Sequence, residues 1–401
     1  MKKVLILFLS IFFTFSLKSQ DVNYDDILGG NLNTITTAVP FLLISPDSRS
    51  GAMGDVGVAT APDAASMHWN PAKLSFTKDD IGVSVSIVPW LRELVPDINL
   101  QYIGGYYKLN NNEALGYELR YFSLGDITFT DNTGNVIGQY KPNELALGTS
   151  YSRKLSRDFS IAISGRYIYS NLTGGQSAGG TETIAGQSIA ADISTFYTRP
   201  ISIADNKSDL SFGMNISNIG NKISYTETIT RDFIPINLRL GTDLTTEIDE
   251  YNKFSFAIDL NKLLVPSPPL YDENGDMIAG KDPEVSVVSG MFQSFGDAPG
   301  EIDENGNPVP GSIFKEEMRE INISTGFEYW YANQFALRAG YFHEHDTKGG
   351  RKYLTFGSGV KYNVFALDFS YLISTSNIGG SNPLANTMRF TLVFDLGSMG
   401  N

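Results

Sequence analysis

From Ile81 onward the chain runs in segments of about ten residues, with apolar side chains alternating with polar or small ones and turn-forming residues between segments. Asp158 to Tyr169 sets Phe159, Ile161, Ile163, Tyr167 and Tyr169 on one face and Ser160, Ala162, Ser164 and Arg166 on the other. The same alternation fills Lys253 to Leu260, Val364 to Tyr371 and Met388 to Leu396. Such segments begin near Ile81, Ile98, Glu113, Glu144, Asp158, Gly186, Ser208, Ile234, Asn252, Glu320, Gln334, Lys352, Val364 and Thr387, which predicts fourteen strands. Val285 to Phe292 alternates poorly, and Ser312 to Glu320 has the pattern of a short amphipathic helix with Ser312 as its N-cap. Both are assigned to a long loop.

The connectors support that count. Short ones (Lys108 to Asn112, Lys154 to Arg157, Trp330 to Asn333, Tyr362-Asn363) alternate with long ones (Ser123 to Asn143, Ser170 to Ala185, Asn218 to Phe233, Asn261 to Arg319). Bacterial membrane barrels combine short periplasmic turns, longer outer loops and an even number of strands. An even count also puts both mature termini in the periplasm. A strand of about ten residues tilted near 45° crosses the hydrocarbon layer, where every backbone polar group must pair, so the sheet has to close.

One face of the segments is free of charge. The other carries Glu118, Arg120, Arg166, Asp192, Arg239, Asp259, Glu328, Arg338, Lys361, Asp368 and Arg389, side chains that a lumen can pair. On the lipid face an Arg or Lys would cost roughly 2–4 kcal/mol at mid-membrane. Tyr106, Tyr151, Tyr169, Tyr197 and Tyr329 stand at segment ends, where an aromatic girdle belongs. The predicted fold class is all-β, a fourteen-stranded antiparallel transmembrane barrel over residues 81–401 with long extracellular loops, the longest about 261–319.

Ahead of the strands, Lys2 and Lys3 precede an apolar run from Val4 to Phe15 and a polar stretch to Gln20, which reads as a secretory signal peptide over residues 1–19. The run is too short to span a bilayer. The 401-residue chain has no cysteine, three histidines and a formal charge of -14. No disulfide scaffold or thiolate metal site is available, and nucleic acid would be repelled.

Residues 20–80 lack strand periodicity. They contain Arg49-Ser50-Gly51-Ala52-Met53-Gly54-Asp55-Val56-Gly57-Val58-Ala59, then Asp63-Ala64-Ala65-Ser66-Met67-His68-Trp69-Asn70-Pro71-Ala72-Lys73-Leu74. This order resembles the amino-terminal segment of FadL-like outer-membrane barrels. The resemblance implies a plug folded into the lumen, with Gly51, Gly54 and Gly57 allowing close approach to the wall and Pro71 fixing a turn after Asn70.

Within that superfamily, Ser45-Pro46-Asp47-Ser48-Arg49, Val88-Pro89-Trp90-Leu91 and Val287-Val288-Ser289-Gly290-Met291-Phe292-Gln293-Ser294-Phe295 with Asp297-Ala298-Pro299-Gly300 make the chain similar to the PorV family of the type IX secretion system in Bacteroidetes. That likeness implies an outer-membrane, non-enzymatic component with no cofactor. Its implied partners are the giant translocon SprA, the carboxy-terminal signal domains of cargo proteins and a surface attachment complex, besides outer-membrane lipid. The plug motif fits a second function equally, a FadL-like channel for hydrophobic small molecules.

Other motifs have ordinary explanations. His343-x-His345 has no evident third ligand. Asp272 to Asp276 and Asp303 to Gly306 lack the glycine and bidentate glutamate of a calcium loop and read as Asn-Gly turns. No G-x-S-x-G elbow supports a lipid hydrolase. The candidate partner contacts are apolar residues predicted in outer loops: Trp90 and Leu91, beside Pro89, Leu94 and Val95, then Leu263, Leu264, Val265, Phe292 and Phe295.

Overall fold

The computed structural model describes residues 32–91, 95, 97–130, 133–175, 182–226, 231–272, 274–303, 309–375 and 386–397. The expected signal peptide, Leu94 and the turn at Asn305-Gly306 lie outside these residues.

Fourteen strands close one antiparallel barrel. They are β1 (Ile81–Pro89), β2 (Asn99–Asn110), β3 (Glu113–Ser123), β6 (Asn143–Lys154), β7 (Phe159–Asn171), β8 (Gly186–Ile203), β9 (Asn206–Gly220), β10 (Asn237–Glu247), β11 (Asn252–Leu263), β14 (Asn322–Tyr331), β15 (Phe335–His343), β16 (Lys352–Tyr362), β17 (Phe365–Ser374) and β18 (Met388–Leu396). Each pairs with the next barrel strand in sequence, and β1 meets β18 from Ile81 opposite Leu396 to Ile87 opposite Phe390, leaving no edge. Each of the fourteen segments marked by alternation is a barrel strand, because period-two patterning fixes which face meets lipid. In β7 the side chains of Ile161, Ile163 and Tyr167 are exposed, while Ser160, Ala162, Ser164 and Arg166 are buried.

Several expectations need correction. Val285 to Phe292 is not plain loop: it contains helix α3 (Val287–Gln293), capped by Ser286, whose hydroxyl accepts from the Ser289 N–H. The second helix, α4 (Ser312–Arg319), begins at Ser312, but Gly311 is its N-cap in a left-handed conformation, and the Ser312 hydroxyl donates to the Val309 carbonyl. Tyr106 faces the lumen against Ala64, Met67 and Leu74, and the lipid-facing tyrosine there is Tyr107. A slip of one residue along a strand exchanges faces, so an end-of-segment tyrosine cannot be placed without the register. Two small hairpins, β4 (Ile127–Thr130) with β5 (Val136–Tyr140) and β12 (Leu270–Tyr271) with β13 (Met277–Ala279), rise from the long loops.

The lumen is layered along its axis. At the outer end Phe41, Leu42, Leu100, Ile168, Ile236 and Val265 belong to one apolar cluster. The middle is ionic. Towards the periplasmic turns a short 3-10 helix (Pro71–Phe76) sets Phe76 edge-on to Phe196, their rings 5.4 Å apart. The last barrel strand runs to the periplasmic side as expected, but Asn33 does not lie with the periplasmic turns. Its N–H donates to the Thr347 carbonyl at 3.0 Å and its amide to the Pro268 carbonyl at 3.1 Å, both in outer connections.

The sidedness of the wall gives a direct check. Ile163 is 63% exposed in the middle of β7, so Ile163→Arg should lower folding stability in bilayers by roughly 2–4 kcal/mol, measured by denaturant titration of vesicle-inserted protein. An unchanged midpoint would place that face away from lipid.

Candidate functional site

The segment between Asn33 and Asp80 crosses the lumen once and is bound to the wall on nearly every side. Asp47 caps helix α1 (Ser48–Gly51) by accepting from the Ser50 N–H, and it also accepts the Trp69 indole N–H at 2.6 Å. The cap points the Arg49 side chain at the wall. There its Nε and Nη2 donate to the two Glu328 oxygens at 2.9 and 2.8 Å, and Nη1 donates to Asp63 at 2.8 Å. Glu328 also accepts from Arg338 at 2.7 Å, and Arg338 donates to Asp368 at 2.6 Å. One chain of charges, Asp63–Arg49–Glu328–Arg338–Asp368, therefore joins the plug to β14, β15 and β17.

The residues of the glycine-rich motif share this lumen. Gly54 has φ +70°, and a Cβ there would lie 2.6–2.8 Å from backbone atoms of Tyr341 and Thr325 in the wall. Close backbone approach and a left-handed conformation both require glycine at that position. A Cβ on Gly51 would meet the Arg389 side chain, and one on Gly57 would meet the Trp69 ring. The Gly57 and Val58 N–H groups donate to one oxygen of Asp259 at 2.8 and 3.0 Å. Asn70 spans plug and wall: its amide donates to the Val58 and Thr195 carbonyls, both at 2.9 Å, while its Oδ1 accepts from the Ala72 N–H. Pro71 follows as the first residue of the 3-10 helix, where a missing N–H costs nothing.

The strand charges expected to face the lumen do pair there, and His68 and Lys73, to which the sequence assigned no role, complete the set. Arg120 donates to the Leu42 carbonyl at 2.9 Å and is paired with Glu118 at 3.0 Å. Arg166 lies between Glu118 at 2.7 Å and Asp192 at 3.0 Å. His68, one of the three histidines, is buried with its Nδ1 against Arg120. Lys73 donates to the Gly57 carbonyl at 2.7 Å. The sequence signal was available, since both charge signs alternate onto one face of the strands, but their partners on the plug cannot be read from one-dimensional spacing. Removing one member of a buried pair leaves an uncompensated charge, at a cost of about 3–5 kcal/mol.

Above the barrel, the described residues between 264 and 321 form a cap. Helix α4 turns its carboxylates inward: Glu317 and Glu320 accept from Lys262 at 3.0 and 2.6 Å, and Glu316 and Glu320 accept from Lys348 at 2.6 and 3.0 Å. Glu316 also accepts from the Asn33 amide, and the two Glu317 oxygens are shared between Lys262 and the Asp297 and Ala298 N–H groups. On its other side α4 exposes Ile313, Phe314 and Met318, and α3 with the turn after it exposes Val288, Phe292 and Phe295. Phe314 is 69% and Phe292 76% exposed, the reverse of a surface helix that buries its apolar stripe.

This architecture sorts the expected contact residues. Phe292 and Phe295 are exposed on the cap, the Phe295 ring 5.9 Å from the Lys262 ammonium. Leu264 and Val265 are buried in the outer apolar cluster, with Leu263, Trp90 and Leu91 packed partly buried against it. Trp90 and Leu91 also touch Phe342, Tyr353 and Leu372. Apolar residues marked both kinds of segment in the sequence, and only the fold shows which side chains the mouth buries. Asp272, expected in a turn, accepts from the Asn274 and Asp276 N–H groups, and Gly275 takes φ +87°.

The family model described as type IX secretion system protein PorV matches residues 29–270. Curated protein sequences contain no match. Among solved structures, the toluene transporter TbuX of Ralstonia pickettii is similar at 11% identity and a TM-score of 0.45, over 91% of this chain and 98% of that one. The P. putida toluene transporter TodX is similar at 12% identity and a TM-score of 0.45, over 87% and 98%. A Pseudomonas aeruginosa FadL homologue is similar at 10% identity and a TM-score of 0.42, over 90% and 99%.

Two tests follow from the geometry. Gly54→Val forces a branched side chain against the wall, and Arg49→Ala strips the bridge to Glu328, so each should loosen the plug and raise ion conductance in planar bilayers while the barrel band on a gel persists; silent bilayers would contradict this. In the cap, burial raises the Asp297 carboxyl from 3.8 to about 6. A raised acid stabilises the fold below its unfolded pKa, and the contribution is lost as pH rises through the folded value. Protease resistance of the cap should therefore decline between about pH 4 and pH 7, and Asp297→Asn should flatten that decline.

Proposed function

The chain belongs to the PorV family of type IX secretion system proteins, and from that membership we propose that its outer cap is the docking surface of the secretion machinery. The chain is an outer-membrane component of that system. On this reading the cap grips the giant translocon barrel SprA, receives the carboxy-terminal signal domain of a cargo protein and hands it to the surface attachment complex.

The observation that carries the reading is the inverted cap. The carboxylates of Glu316, Glu317 and Glu320 fix α4 to Lys262 and Lys348, while Phe292, Phe295 and Phe314 are exposed. Exposed aromatics on a rigid support are the usual anchors of protein interfaces, because ordering them costs little entropy on binding. The plug supplies the support from below, since Asn33 ties the lumen-filling segment directly to α4 through Glu316.

The competing expectation, a channel for hydrophobic small molecules, needs an apolar passage. The lumen holds two ion-paired groups, Arg49–Glu328–Arg338 and Arg120–Glu118–Arg166, an environment that disfavours an apolar solute.

Replacing Phe292 and Phe295 together by Asp should leave the heat-resistant barrel intact. It should reduce recovery of the large translocon barrel and of cargo in mild-detergent affinity purification by about tenfold or more, the scale of losing an aromatic hot spot. Undiminished recovery of both would sink the cap as the docking surface. A lone barrel that retains hydrocarbon in the wild type would restore the channel reading.

A further inference from the structure

The path of the chain through the barrel has a direction, and its described amino-terminal end is on the side of the long connections. Asn33 is buried between the outer turn at Thr347 and helix α4, held by three hydrogen bonds: N–H to the Thr347 carbonyl, and the amide to the Pro268 carbonyl and to Glu316. Five residues on, the Ala38 N–H donates to the Phe233 carbonyl of another outer connection. Phe41 and Leu42 then enter the outer apolar cluster, Asp47 to Asn70 occupy the ionic middle, and Phe76 reaches the periplasmic end under the Lys154 ammonium, 4.5 Å from its ring. Strand β1 starts from there and climbs back out.

This pass fills the lumen: Arg120, Arg389, Phe41, Lys73, Met53 and Leu74 are all under 2% exposed. Thr34 and Thr36, by contrast, are exposed on the outer side of this strap.

We propose that the exported chain enters its own barrel from the cell surface, where the strap from Asn33 to Thr37 is displayed beside the cap. Long connections face outward in bacterial barrels, so the side on which Asn33 is fixed is the cell exterior. The inference rests on chain path alone and stands whether or not the cap docks a translocon.

The absence of cysteine makes the test clean. Single replacements Thr34→Cys and Thr36→Cys are compared with Asn274→Cys in the outer hairpin turn and Asp205→Cys in a periplasmic turn, using a membrane-impermeant maleimide on intact cells. Only the heat-resistant, folded band is scored, and the intact mass of the purified chain reports where the mature protein starts. The expected result is labelling of both strap variants in intact cells to a level comparable with Asn274→Cys, with Asp205→Cys labelled only after permeabilisation. Labelling of Thr34→Cys and Thr36→Cys only after permeabilisation overturns the proposal. So does a mature chain that begins at or beyond Asn33.

Discussion

The constraint on which the rest depends is that no backbone N–H or C=O can be left unpaired in hydrocarbon. It forces the sheet to close, β1 onto β18, and closure at fourteen strands encloses a space too wide for the wall's own side chains to fill. The inward faces are polar, so the filler must be polar as well. The plug meets that demand with its own charges: Arg49 to Glu328, Asp55 to Arg389, and the Gly57 and Val58 amides to Asp259. Small residues at its closest approaches follow from the same demand, because a backbone reaches a backbone only where no Cβ intervenes.

The cap applies the opposite rule. Outside the membrane, water solvates charges and penalises exposed aromatics, yet α4 buries three glutamates and exposes Phe314 and Met318. The carboxylates are affordable inside because Lys262 and Lys348 meet them, each shared between two acids. Such a helix is held in place by ion pairs and hydrogen bonds instead of by an apolar stripe, which leaves its apolar residues available to a partner.

The barrel was legible in the sequence because a strand with lipid on one face and a polar lumen on the other must alternate, and the fourteen starts fall within three residues of the observed ones. Tyr106 shows the limit: it and Tyr107 are both tyrosine, and only the register tells which faces lipid. At the mouth, apolarity marked Leu264 and Phe292 alike, although one lies in the apolar cluster and the other in solvent. The motif glycines were readable as close approaches, but the Arg49–Glu328 pair spans 279 positions, and nothing local to either residue announces it. The side on which the chain enters was likewise invisible, because strand parity orders the wall and says nothing about the thread inside it.

That thread makes the molecule a lasso. The ring is sealed by the β1–β18 seam, and the tail that passes through it is the segment leading directly into β1. The seam joins the earliest and latest strands, so it is the last to form in synthetic order, and the sheet can wrap around a tail that is already in place. A ring closed before the tail is in place has to be threaded by a free chain end, and until then Glu328 and Arg389 of the wall lack their partners on the plug.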